Sequence, residues 1–95
     1  KQMSLFITGQ VYAREKIPHT TRQLVAIAAL TAMARPEELK LHIHAGFNVG
    51  CTREEMAEAI FQTGIYCGVP AVNTALKVLK AVIAEREEPK PRKDK

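Results

Sequence analysis

The chain has 95 residues, 46% of them apolar, and a formal charge of +4. That is one domain's worth of sequence, too apolar for a disordered segment. Its longest apolar run, Leu24 to Ala34, is far short of the roughly 20 residues that cross a bilayer, and aromatics are only 5% with no Trp. The expected core is therefore built from Ala, Val, Leu and Ile.

Punctuation by Pro18, Pro36, Gly50, Gly68, Pro70 and Pro89 divides the chain into segments whose apolar spacing is helical, so the reading is all-α with five helices and no strand. The first covers roughly Gln2 to Tyr12. The second runs from about Thr21 to Ala34, capped by Thr20 or Thr21. Its Leu24–Leu30 stretch is apolar on every side, which asks for a central position. The third, about Glu37 to Val49, opens beside Pro36 with two acids in its first turn and closes before Gly50. Thr52 and Glu55 have capping-box spacing and start a fourth helix over 53–67. Pro70 starts the fifth, whose stripe is Val72, Ala75, Leu76, Leu79 and Ile83.

Residues 1–88 are expected to form the domain and 89–95 a charged tail. The tail holds four basic side chains and one acid, a net +3 that leaves +1 of the chain's +4 for the body. No basic surface of the kind that grips phosphates is visible in that body, so neither a nucleic-acid nor a membrane partner is expected. The fourth helix carries two apolar faces, Met56, Ile60, Thr63 and Cys67 beside Ala57, Phe61 and Ile65. With the all-apolar second helix, this is more than one protomer can cover, and a homo-oligomer is expected.

Cys51 and Cys67 are sixteen residues apart. A helix between them separates them by about 24 Å, beyond disulfide reach. With no CxxC and no secretory signal pattern, the expected location is cytoplasmic. In the third helix, Glu37, Lys40, His44 and Asn48 share a polar face, while His42 lies at the apolar boundary. Glu38 stands one turn before His42 and Gly46 one turn after, leaving room beside the ring. A carboxylate four residues before an imidazole can touch it and tune a proton-handling pair. The same spacing also suits a purely structural histidine. His42 and His44 point about 200° apart and cannot chelate one ion. Without a serine elbow or phosphate loop, any chemistry is expected to be acid/base and free of cofactors or metals.

The motifs Thr21-Arg22-Gln23-Leu24-Val25-Ala26-Ile27, Glu38-Leu39-Lys40-Leu41-His42-Ile43-His44-Ala45-Gly46-Phe47-Asn48, Thr52-Arg53-Glu54-Glu55-Met56 and Tyr66-Cys67-Gly68-Val69-Pro70 follow one another in an order that resembles the carboxymuconolactone decarboxylase family. The resemblance covers about residues 9–84. It implies the alkylhydroperoxidase-D-like helical fold, assembled as trimers or hexamers with sites near subunit contacts. It implies a carboxy-lyase of the β-ketoadipate route of aromatic catabolism acting on a small carboxylated lactone. The family's E-L-x-x-H histidine falls on His42 and its acid on Glu38, the implied catalytic pair. Its helix-two arginine falls on Arg22, an implied clamp for a substrate carboxylate.

Departures are also visible. The family's W-G-x-x-W-x-R-P-G-L reads Thr8-Gly9-Gln10-Val11-Tyr12-Ala13-Arg14-Glu15-Lys16-Ile17 here, and Gln23 stands where an acid is common. The thiol peroxidase branch carries CxxC at positions held here by Arg35 and Glu38. A thiol-dependent hydroperoxide reductase, relying on the lone Cys67, is therefore the alternative, and a non-catalytic oligomeric scaffold the third reading.

Overall fold

The computed structural model describes residues 9–87. A helical stretch over 9–13, α1, is the described part of the first expected helix, whose remainder lies outside the described residues, as does the tail at 89–95. After it come α2 (His19–Ala32), α3 (Pro36–Val49), α4 (Arg53–Cys67) and α5 (Val69–Glu87). The described residues contain no strand. Going round the core, α2, α3, α5 and α4 each pack on the next, and α4 closes back on α2.

Local chemistry explains most helix ends. Pro36 occupies the first turn of α3, where its missing N–H costs nothing, and Glu37 and Glu38 face the positive end of the helix dipole. Gly50 ends α3 at φ 108°, a left-handed conformation that side chains resist. At α4, Thr52 Oγ1 accepts from the Glu55 amide at 3.0 Å while the Thr52 amide donates to Glu55 Oε1 at 2.9 Å, the capping box expected from the spacing.

The ends of α2 differ from expectation. It begins two residues early, with Pro18 at the cap and no side-chain cap bond, so neither Thr20 nor Thr21 caps it. It stops at Ala32 rather than Ala34. Arg35 precedes a proline and is pushed out of the helical region, to φ −115° and ψ 75°. Ala34 makes the exit by adopting φ 57°, and the Arg35 amide closes on the Leu30 carbonyl at 3.1 Å.

The core is Ile27 from α2, Leu39 and Ile43 from α3, Cys51, Met56 and Ile60 with α4, and Ala75, Leu79 and Val82 from α5. Val82 is fully buried although the expected α5 stripe omitted it, because that stripe broadens where α5 lies between α3 and α4. Coverage of α2 and α4 is incomplete. Val25 is 60% exposed, Ile65 72% and Tyr66 81%, and an almost wholly apolar groove of about 530 Å³ runs between the two helices, lined by Leu24, Val25, Ala28, Ala29, Ala59 and Tyr66 among others. No helix among the described residues is long and apolar enough to cross a membrane.

Candidate active site at the α2–α3 contact

Packing of α2 on α3 brings Gln23 against His42. Gln23, Ile27 and Thr31 recur every four residues and form the buried edge of α2. Of these, Thr31 satisfies its hydroxyl on its own helix, donating to the Ile27 carbonyl at 2.7 Å. Gln23 reaches across instead, its Oε1 lying 2.9 Å from Nδ1 of His42. The imidazole is half-buried, and burial holds its pKa below the ordinary histidine value of 6.5 by penalising the charged ring. Burial thus favours the uncharged ring.

Glu38 is exposed and ion-paired with Arg35, Oε2 to Nη2 at 3.2 Å. The two positions that hold cysteines in the peroxidase pattern thus carry opposite charges that bind each other. Gly46 does not open a hollow beside the His42 ring. A β-carbon there would lie 3.0 Å from Met56 Sδ and 3.6 Å from Ile27 Cδ1, so its vacant side is filled by the core. The glycine permits close packing rather than ligand access.

Arg22, one residue before Gln23, contacts the segment that precedes α2. Its Nη2 donates to the Arg14 carbonyl at 2.9 Å, and its guanidinium lies 5.9 Å from the centre of the Tyr12 ring. Tyr12 is itself stacked on His19 at 6.2 Å. The Nε of Arg22 is buried without a hydrogen-bond partner, an arrangement that native structures rarely leave unexplained. Beside it lies a hollow of about 200 Å³ lined by Val11, Tyr12, Ile17, Arg22, Val25 and Ala26. His42 is not among the residues lining that hollow, so consecutive residues of α2 serve two sides: Arg22 the hollow and Gln23 the histidine.

The polar face of α3 has a different task. Lys40 and His44 both bind Glu85 of α5, at 2.9 Å and 3.2 Å. Arg86 reaches Nδ1 of His44 and Oδ1 of Asn48, each at 2.9 Å, with its guanidinium 5.0 Å over the Phe47 ring. Hydrogen bonds from Lys40 and then His44 hold the Glu85 carboxyl below its usual range. His44 therefore ties α5 to α3, while His42 meets α2. No group of three or more His, Cys, Asp or Glu side chains suited to a metal occurs among the described residues.

Both cysteines are unbridged. Cys51 is buried, its Sγ 3.4 Å from the Thr20 carbonyl, and burial followed by the charge of Glu55 pushes its pKa up, away from the reactive thiolate. Cys67 is half-buried at the end of α4, with its Sγ 3.9 Å from the Gly68 carbonyl. Gln23 is the site residue that sequence reasoning missed. Its signal was present: an amide on the i, i+4 row of the buried edge, where an apolar residue would be ordinary.

Residues 1–81 match the model of the carboxymuconolactone decarboxylase family. Over 83 residues the chain is 40% identical to a 4-carboxymuconolactone decarboxylase of Acinetobacter baylyi, covering 87% of this chain and 62% of that protein. It is 36% identical over 83 residues to an uncharacterised 15.0 kDa protein of Paracoccus denitrificans, covering 84% and 61%. A nitrosuccinic acid decarboxylase of Metarhizium robertsii is 29% identical over 75 residues, covering 79% and 52%. The chain spans between 52% and 62% of the length of these curated relatives.

Proposed function

The chain belongs to the carboxymuconolactone decarboxylase family, and from that membership we propose that it is a cofactor-independent carboxy-lyase acting on a small carboxylated lactone, 4-carboxymuconolactone or a related acid. Two relatives bear decarboxylase names for different acids, which supports the reaction type more firmly than any one substrate. The observation that carries the reading is His42, a half-buried imidazole held by a buried amide at the contact of two helices.

In this mechanism the bond to the departing carboxylate breaks and its electron pair flows through the ring alkene into the lactone carbonyl, giving a dienolate. Carbon dioxide leaves. The imidazolium form of His42 delivers a proton to carbon, returns to the neutral ring and is reprotonated from solvent, so one proton is consumed per turnover. A desolvated imidazolium is a stronger acid than one in water, which favours the transfer. Glu38, one turn before His42, is assigned the relay of that solvent proton to the ring. The uncovered groove between α2 and α4 supports a homo-oligomer, a trimer or hexamer, in which another protomer covers Val25 and Tyr66.

The test is carbon dioxide release across a panel of γ-carboxy lactones and β-keto acids. The expected outcome is turnover of at least one γ-carboxy lactone, reduced on the order of 10²–10⁴-fold by His42→Gln. Turnover unchanged by that substitution, or absent across the panel, would overturn the proposal. Light scattering coupled to gel filtration checks the oligomer, and a monomer at micromolar concentration would refute it.

A further inference from the structure

Gln23 differs from the other buried polar side chains. Thr31 and Thr63 return their hydroxyls to carbonyls of their own helices, those of Ile27 and Ala59, each at 2.7 Å. Gln23, 6% exposed, directs its amide oxygen to a ring on another helix. An amide oxygen only accepts, so the ring nitrogen facing it must carry a proton. A neutral imidazole has one N–H. With that proton on Nδ1, the lone pair resides on Nε2 at the far side of the ring.

We infer that Gln23 is a positioning residue for His42, holding the imidazole as the tautomer protonated on Nδ1 and making Nε2 the nitrogen that exchanges protons with a ligand. The inference deepens the proposed function by resting on His42 as its proton-handling group. During a cycle Nε2 takes a proton from solvent, and the imidazolium keeps its Nδ1–H on the Gln23 oxygen. The Nε2 proton then passes to the substrate carbon as carbon dioxide leaves, and the ring returns to the tautomer it began with. An amide cannot take the Nδ1 proton, so the transfer runs through Nε2 alone. It also lacks the charge that would stabilise the imidazolium and weaken it as an acid.

Several charged groups near α3 have partners of their own. Glu38 on the same helix is paired with Arg35. On α2, Arg22 bonds the Arg14 carbonyl. On α5, Glu85 and Arg86 are bound to His44. Burial is the cause of the displaced His42 titration.

The experiment is two-dimensional ¹H–¹⁵N correlation of the histidine rings in ¹⁵N-labelled full chain, with His42 assigned by the loss of its signals in His42→Gln. In the wild type, at a pH where His42 is neutral, Nδ1 should show the protonated shift and Nε2 the lone-pair shift. Gln23→Met keeps the volume and removes the acceptor, and should erode that preference. Gln23→Glu should retain the proton on Nδ1 and raise the ring's proton affinity about tenfold or more, moving the matching limb of the pH–rate profile upward. A wild-type ring protonated on Nε2, a tautomer ratio unchanged by Gln23→Met, or no upward titration in Gln23→Glu would each overturn the inference. The expected shifts in a protein that releases no carbon dioxide would instead defeat the proposed function and leave Gln23's role standing. Turnover with the reversed tautomer would do the opposite.

Discussion

Replacing Gly64 by Ala probes how closely α4 and α5 approach. A β-carbon at position 64 would lie 2.7 Å from Cγ2 of Val72, whereas non-bonded carbons rest about 3.5–4.0 Å apart. Val72 is β-branched and nearly confined to one helical rotamer, so its methyl cannot swing aside and the helices must separate. Overpacking of this kind costs about 1–3 kcal/mol, against the roughly 1 kcal/mol that Ala gains over Gly inside a helix. Gly64→Ala should therefore destabilise the wild type by about 0–2 kcal/mol. In a Val72→Ala background the obstructing methyl is gone, and the same substitution should stabilise by about 1 kcal/mol. Urea denaturation followed by far-UV circular dichroism, at one protein concentration for all four members of the cycle, reads the coupling. Additivity within about 0.5 kcal/mol would refute the close approach of these two helices.

Ala34→Gly should raise stability by about 0.5–1 kcal/mol, since relief of the left-handed conformation outweighs the added freedom of the unfolded chain; an unchanged urea midpoint would contradict this. Ile27→Ala, at a fully buried core position, should cost about 2–5 kcal/mol in the same assay. Thr52→Ala removes one half of the capping box and should cost about 1 kcal/mol, with Thr52→Ser restoring most of it. Because His42 titrates lower in the folded chain than unfolded, the unfolded state binds more protons just below pH 6.5. Its contribution is thus complete above that pH and is lost as the pH falls through the lowered folded value. Urea midpoints over this range should slope in the wild type and flatten in His42→Gln, and identical slopes would contradict the burial of the ring.

The helix count and most of the helix ends were legible because they depend on neighbours in sequence: Pro36 and Gly50 around α3, and Thr52 with Glu55 at α4. The exit from α2 was less so. Pro36 announced it, but the burden of the turn fell on Ala34, which carries no glycine-like signal. At the site, the 3.6-residue period placed His42 at a boundary and His44 on a polar face, and both descriptions hold.

Which groups meet was decided by packing between helices. Glu38 was a reasonable partner for His42 on one helix; it is ion-paired with Arg35, and Nδ1 of the ring is claimed by Gln23, nineteen positions away in sequence. The gap left by Gly46 went to Met56 rather than to a ligand. Backbone geometry within a helix is dictated over four residues and can be read from them. Contacts between helices depend on the rotation and spacing of whole segments, which the summed burial of the core sets. The sequence by itself thus determined that this is an all-helical chain with a histidine at the edge of its core, and only the tertiary structure decided that an amide, not a carboxylate, holds that histidine's Nδ1.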